Sequence, residues 1–201
     1  MKLESSSQTG VGGAITYYDV PMMLFNDHWV RLRPSAEAIA DPLADRMSFP
    51  KQWTEWRPAA DNPQETELLK GTRWDKFGGT ANYPPQPPGH RIDRTYFTIS
   101  GGGNSSFGGE ITIVNASWLR FVADGTFRIS SSYQKIAGTQ VFTDSTVQTG
   151  TYVIDGYVLA MTFPSGKTVR RVLTSFENNI GFFLDESYYC EAKHNGDRGC
   201  E

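Results

Sequence analysis

Gly150-Thr-Tyr-Val-Ile-Asp-Gly-Tyr-Val-Leu-Ala-Met-Thr-Phe163 decides how this chain is read. Two apolar runs flank an Asp-Gly pair, which favours a type I′ turn because both central positions accept positive φ. A two-residue turn at Asp155-Gly156 sets Ile154 opposite Tyr157 and Tyr152 opposite Leu159. Successive side chains of a strand point to opposite sides, so Tyr152, Ile154, Tyr157, Leu159 and Met161 share one face. Thr151, Val153, Val158 and Ala160 fall on the other. One face is bulky and aromatic, the other small. The stretch reads as antiparallel sheet folded over an aromatic interior, which is an architecture and not yet a chemistry.

The same punctuation recurs on both sides. Asp124-Gly125 separates Trp118–Ala123 from Thr126–Ser132, and Ser165-Gly166 closes the turn into Lys167–Phe176. Thr95–Ser100, Glu110–Val114, Ile180–Leu184 and Ser187–Cys190 complete a run of short strands, with Gly101–Gly109 as a loop among them. Towards the N-terminus, Asn26-Asp27 joins Met22–Phe25 to His28–Leu32 in another hairpin. Ser35 offers a helix N-cap, with Glu37 in the first turn and Ile39, Leu43 and Met47 spaced i, i+4, i+8. Pro42 limits that helix or starts a second one, and Phe49–Trp56 reads as a further turn or two. Glu65–Trp74 reads as one strand. Asn82-Tyr-Pro-Pro-Gln-Pro-Pro-Gly-His90 reads as a stiff surface connection, because its prolines impose extended polyproline geometry. About nine to eleven evenly spaced strands favour a barrel or sandwich.

Three motifs carry a family resemblance: Phe121-Val-Ala-Asp-Gly-Thr-Phe127, Gly150-Thr-Tyr-Val-Ile-Asp-Gly-Tyr-Val-Leu159 and Phe163-Pro-Ser-Gly-Lys-Thr-Val-Arg-Arg171. Together they resemble the lipocalin-like β-meanders of exported bacterial proteins, over about residues 66–190. The resemblance implies a cup-shaped barrel able to hold an apolar ligand, with no transferable catalytic set.

Totals bound the rest. The 201 residues suit one domain, with or without an appendage. A formal net charge of −3 supplies no basic excess for a nucleic-acid footprint. No run of 18 apolar residues exists to form a spanning helix. Residues 1–12 lack the apolar core and cleavage site of a signal peptide and read as a disordered polar tail. Localisation is expected to be secreted or periplasmic, the leader being absent from this stretch.

The chemical candidates are each weighed against a plainer reading. Pro164-Ser-Gly-Lys-Thr168 ends like a phosphate loop, but Met161 stands where that motif needs a glycine and the context is strand-turn-strand. Cys190 and Cys200 suit a disulfide stapling a terminal loop. His194 between them raises a Cys-His-Cys metal site, which falls short of a structural zinc signature, and two free thiols are the third option. No metal and no cofactor is expected. Glu65 with Glu67 and Asp75 with Glu110 are carboxylate pairs without supporting motif spacing. Trp118, Phe127, Tyr152, Tyr157 and Phe163 could line a ligand pocket or fill the core. Of Arg170 and Arg171, on opposite faces of their strand, the inward one needs a structural carboxylate or a ligand's anionic head; Arg171 is the candidate.

The sequence therefore predicts a mainly β chain. A disordered tail (1–12) precedes a hairpin and short helix (13–63), an antiparallel lipocalin-like barrel (64–190) and a C-terminal tail (191–201). The leading function is a non-enzymatic binding protein for a small, partly apolar or amphipathic molecule, with no nucleic-acid partner and no transmembrane segment. The alternatives are an enzyme using a carboxylate and a tyrosine for cyclisation, isomerisation or hydrolysis, and a structural or protein-interaction module with a packed barrel.

Overall fold

The computed structural model describes residues 1–9, 15–77, 83–103, 109–175 and 181–192. Eight antiparallel strands run in chain order around a closed barrel: β7 (Arg94–Gly103), β8 (Ile111–Phe121), β9 (Thr126–Ala137), β10 (Gln140–Asp155), β11 (Val158–Thr162), β12 (Thr168–Ser175), β13 (Gly181–Leu184) and β14 (Ser187–Glu191). The last strand returns to the first through Phe97↔Cys190 and Tyr96↔Glu191. Ahead of the barrel, six strands form a second antiparallel sheet in sequence order: β1 (Lys2–Thr9), β2 (Ile15–Leu24), β3 (Trp29–Leu32), β4 (Trp53–Pro58), β5 (Thr66–Lys70) and β6 (Arg73–Phe77). The fold is mainly β with an antiparallel barrel, as the turn chemistry predicts.

Several boundaries differ from the sequence reading. Lys2–Thr9, expected in a disordered tail, pairs along its whole length with β2. Glu65–Trp74, expected as one barrel strand, is the β5–β6 hairpin of the N-terminal sheet, because Gly71 takes a positive φ of 66° and turns the chain back. The barrel strands thus begin at Arg94 and not near residue 64. Phe49–Trp56 gives one 3-10 turn, Pro50–Gln52, and then β4.

The deciding hairpin keeps its faces but shifts its register. Ile154 pairs with Leu159 and Tyr152 with Met161, leaving Gly156-Tyr157 as the turn. A shift of two residues on one strand preserves the face of every side chain, so only Tyr157 leaves the interior set. The proline-rich segment explains the shift. Gln86 and Gly156 exchange backbone hydrogen bonds (3.0 and 3.1 Å), and Gly89 N–H donates to the Ile154 carbonyl (2.8 Å). The stiff segment is a strap across the β10–β11 turn.

Ser35 does cap the first helix, its Oγ accepting from Ala38 N–H at 3.1 Å, but α1 (Ala36–Ala40) ends before Pro42, which starts α2 (Pro42–Ser48). That break rotates the apolar stripe outward, and Leu43 and Met47 are exposed. Asp45 faces inward instead. It pairs with the buried Arg31 at 2.6 Å and accepts from Trp53 Nε1 at 2.7 Å, tying α2 to β3 and β4. Removing either charge would strand the other away from water.

The barrel core is aromatic. Tyr96 and Phe182 meet edge-to-face at 4.6 Å, and Phe121 meets Tyr152 the same way at 4.7 Å. Leu119, Ile154, Leu159 and Leu173 fill between them. The Tyr152 hydroxyl accepts from Ile92 N–H (2.9 Å) and lies 3.0 and 3.1 Å from the Ile92 and Val122 carbonyls, to one of which it donates. It welds the strap's end to the β8–β9 turn. Tyr152→Phe, which leaves the buried Ile92 N–H orphaned, is expected to lower unfolding free energy by about 1–3 kcal/mol in urea denaturation; an unchanged midpoint would contradict this role.

Candidate functional site

Register places the inward side chains of β7–β10 in rungs. The lower rung is Tyr96, Leu119, Ile129 and Gln148; above it stand Thr98, Ser117, Ser131 and Thr146, and above those Ser100, Asn115, Tyr133 and Asp144. On β7–β9 the interior changes from apolar to hydroxyl-bearing within one rung. Strands β8–β10 also outrun the rest of the barrel, with 11, 12 and 16 residues against 5 and 8 for β11 and β12. The upper rungs therefore line a one-sided concave wall. A cavity of about 300 Å³ lies against it, bounded by Thr98, Ser100, Asn115, Ser117, Ser131, Tyr133, Asp144 and Thr146 and by the intervening Ala116, Ser132 and Ser145.

The floor of this cavity is preorganised. Ser117 Oγ and Ser131 Oγ share a hydrogen bond of 3.0 Å, and Tyr189, stacked on Phe182 at 5.2 Å, hydrogen-bonds to Ser117. Burial pushes the Tyr189 phenol above its ordinary value of 10.0, while the Ser117 bond and the Arg171 charge pull it partly back. At the rim, Asp144 Oδ1 accepts from Ser145 N–H at 2.8 Å. Thr98, Ser100, Asn115, Tyr133 and Thr146 make no side-chain hydrogen bond among the described residues.

Other openings adjoin the barrel, one of about 450 Å³ beside Val114, Gln134 and Thr143 that shares Ser132, Tyr133, Asp144 and Ser145 with the cavity. Beyond the Phe97↔Cys190 pair, β7 and β14 no longer pair, and a gap of about 360 Å³ between them shares Thr98 and Ser100 with the cavity. On the outer wall, a groove of about 650 Å³ separates α1 from Val153, Tyr157, Val158 and Ala160.

The aromatics singled out from sequence do not converge on one pocket. Phe127 and Tyr152 are core residues, and Phe163 packs edge-to-face on Phe127 at 5.4 Å. Trp118 stands between the inward Ser117 and Leu119 and so points out of the barrel, 42% exposed. Tyr157 lies in the outer groove, its hydroxyl donating to the Tyr83 carbonyl (2.7 Å) and accepting from the Met1 amino group (2.9 Å). Arg171 takes the structural carboxylate: Asp185 pairs with it at 2.8 Å and also accepts from Val172 N–H at 2.9 Å. Cys190 is buried beside β7, and Cys200 and His194 lie outside the described residues.

Sequence reasoning passes over Ser117, Ser131 and Thr146 because serine and threonine on a strand look solvated. The available signal is that the inward positions next to Leu119 on β8 and Ile129 on β9 turn to serine. Register brings those two changes to one height, and on β10 the inward side chains are already polar from Gln148 outward to Asp144. No carboxylate other than Asp144 is among the residues bounding the cavity. Among the described residues, no helix is long and apolar enough to cross a membrane.

No family model, curated protein or solved structure matches this chain.

The buried phenol gives the site a pH signature. A native tyrosine held above 10 keeps a proton that the unfolded chain releases, so its stabilising contribution is intact below pH 10 and is lost as pH rises through the folded value. Stability is expected to fall with pH above 10, and Tyr189→Phe to make that fall shallower. An identical pH slope for wild type and variant in chemical denaturation would place the Tyr189 phenol in solvent.

Proposed function

We propose that this chain is a non-enzymatic, exported binding protein that holds a small, partly apolar ligand at the open end of its barrel. One observation supports the reading most strongly: Leu119 and Ile129 lie directly beneath two rungs of polar side chains, of which Thr98, Ser100, Asn115, Tyr133 and Thr146 make no side-chain hydrogen bond among the described residues. A packed barrel has no use for that change inside its wall. These groups are half-buried or exposed, so the wall stays open to solvent at this end, whereas a protein with only a core to fill would continue the apolar rungs or close the end with a loop.

The cavity, about 300 Å³, is at the small end of the range for ligand pockets. Its chemistry matches that of such pockets, an apolar base with a few directing polar groups. The hydroxyls of Ser117 and Tyr189 are already oriented by their own hydrogen bonds, which reduces the ordering cost of binding. For catalysis, the carboxylate-and-tyrosine alternative requires an acid inside the cavity. Asp144 is instead on the rim, exposed and accepting from a backbone N–H.

The test uses the neutral fluorophore N-phenyl-1-naphthylamine. Wild-type protein is expected to bind it saturably, with enhanced fluorescence and a raised melting temperature. Ser131→Phe, which projects a ring into the cavity, should abolish both effects; Ser130→Phe, one residue back, in register with the outward Trp118 and away from the cavity lining, should abolish neither. Absence of saturable binding, or equal behaviour of the two variants, would overturn the proposal.

A further inference from the structure

We infer that the ligand of this cavity is a neutral polyhydroxylated ring, the size of a single saccharide unit, held edge-on by the hydroxyl rungs and face-on by Tyr133. The inference rests on the binding reading above and assigns the ligand's class.

Charge comes first. Of the eleven residues bounding the cavity, none is cationic and one, Asp144, is anionic. A phosphate or carboxylate head would enter a site without a guanidinium or ammonium to receive it, and would face Asp144. Lys135 is the nearest cation on this face by register, one rung further out between Ile113 and Phe142, beyond the cavity lining. Arg171, half-exposed and outside the cavity lining, is occupied by Asp185. An anionic amphipath is therefore poorly served.

Hydrogen-bonding capacity comes next. Thr98, Ser117, Ser131 and Thr146 form four hydroxyls in register across four consecutive strands, each able both to donate and to accept. A wall of that kind matches a ligand whose own groups are hydroxyls, since neither partner has a fixed polarity to violate. A purely apolar ligand would strip water from these groups without replacing the bonds, at a cost for each. Asn115 and Asp144 flank Tyr133 on the upper rung. The Tyr133 ring therefore stands between an amide on one neighbouring strand and a carboxylate on the other, so a ring laid on it meets a polar group at each of two edges, and Asp144 has its Oδ2 in hand because only Oδ1 is used, on Ser145.

The aromatic ring supplies the remaining element. A saccharide ring has a polar edge and an apolar C–H face, and Tyr133 is 37% exposed on the inner wall with no ring partner among the described residues. Phe142, 52% exposed, follows on the same face one rung outward. The proposed ligand satisfies both the hydroxyl wall and the uncovered rings.

Saturation-transfer NMR with the methyl glycosides of glucose, galactose and mannose and with N-acetylglucosamine tests this directly. At least one of these probes is expected to receive saturation from wild-type protein. Asp144→Ala and Asn115→Ala should each weaken that probe tenfold or more, as expected for loss of a directed hydrogen bond, one of them to a charge. Both substitutions are on exposed positions, and retained N-phenyl-1-naphthylamine binding by each variant shows that it is folded. If the fluorophore binds and none of the four saccharide probes does, the ligand class is wrong while the binding reading stands. Saccharide binding indifferent to both Asp144→Ala and Asn115→Ala also overturns the inference. If neither fluorophore nor saccharide binds, both fall together.

Discussion

Two residue pairs, Phe97↔Cys190 and Tyr96↔Glu191, close the barrel, and the rest of the structure depends on that closure. The Ala192 N–H extends it by one bond to the Thr95 carbonyl (2.8 Å), and Arg94 pairs with Glu191 at 2.6 Å beside it. An open eight-stranded meander would have two edges and two solvent-accessible faces. Closure removes the edges and divides every strand into an inside and an outside. Once Tyr96 is inside, strict alternation puts Thr98 and Ser100 inside too, and pairing carries the assignment to Ser117, Ser131 and Thr146. The candidate site is thus a consequence of closure as much as of composition.

The molecule separates stability from the site along the barrel axis. Below, aromatic side chains interlock and the Tyr152 hydroxyl fastens the closing strap, while the strap and the Met1 amino group both bind the β10–β11 turn region. The N-terminal sheet adds its own core of Met22, Val30, Leu68 and Phe77 and a buried ion pair. Above, the wall of β8–β10 gives up apolar contacts for hydroxyls. Gly150 marks the transition: a Cβ there would lie 2.2 Å from the Thr162 carbonyl and 2.8 Å from the Phe127 ring, so the strand passes closely over the core before rising. An interior that gains nothing from packing at one end can accept a ligand there without loosening the other.

Much of the fold was legible in the chain because its turns are written in Asp-Gly and Ser-Gly pairs. Gly125, Gly156 and Gly166 all take the positive φ those pairs imply. The β10–β11 faces were readable even though the register moved, since period-two alternation survives a two-residue shift. What could not be read depends on long-range partners. Lys2–Thr9 is polar and became a strand only because β2 offered it an edge. Leu43 and Met47 have helical spacing, yet Pro42 breaks the helix and Asp45 takes the inward place through Arg31. The site was the least legible part. Trp118 and Phe127 look functional and are respectively outside the barrel and in its core, while Ser117 and Ser131 look like surface and face each other inside it. A serine acquires meaning only when its neighbour across the sheet is known.

The central claim, that the inner face of β8–β10 above the core is a ligand-binding wall, is tested most directly by thiol labelling at adjacent positions. Ser131→Cys and Ser130→Cys are modified with a maleimide, with and without saturating N-phenyl-1-naphthylamine. The dye is expected to slow labelling at position 131 severalfold and to leave position 130, in register with the outward Trp118, unchanged. Equal insensitivity at both positions, or protection of 130 in place of 131, would contradict the claim.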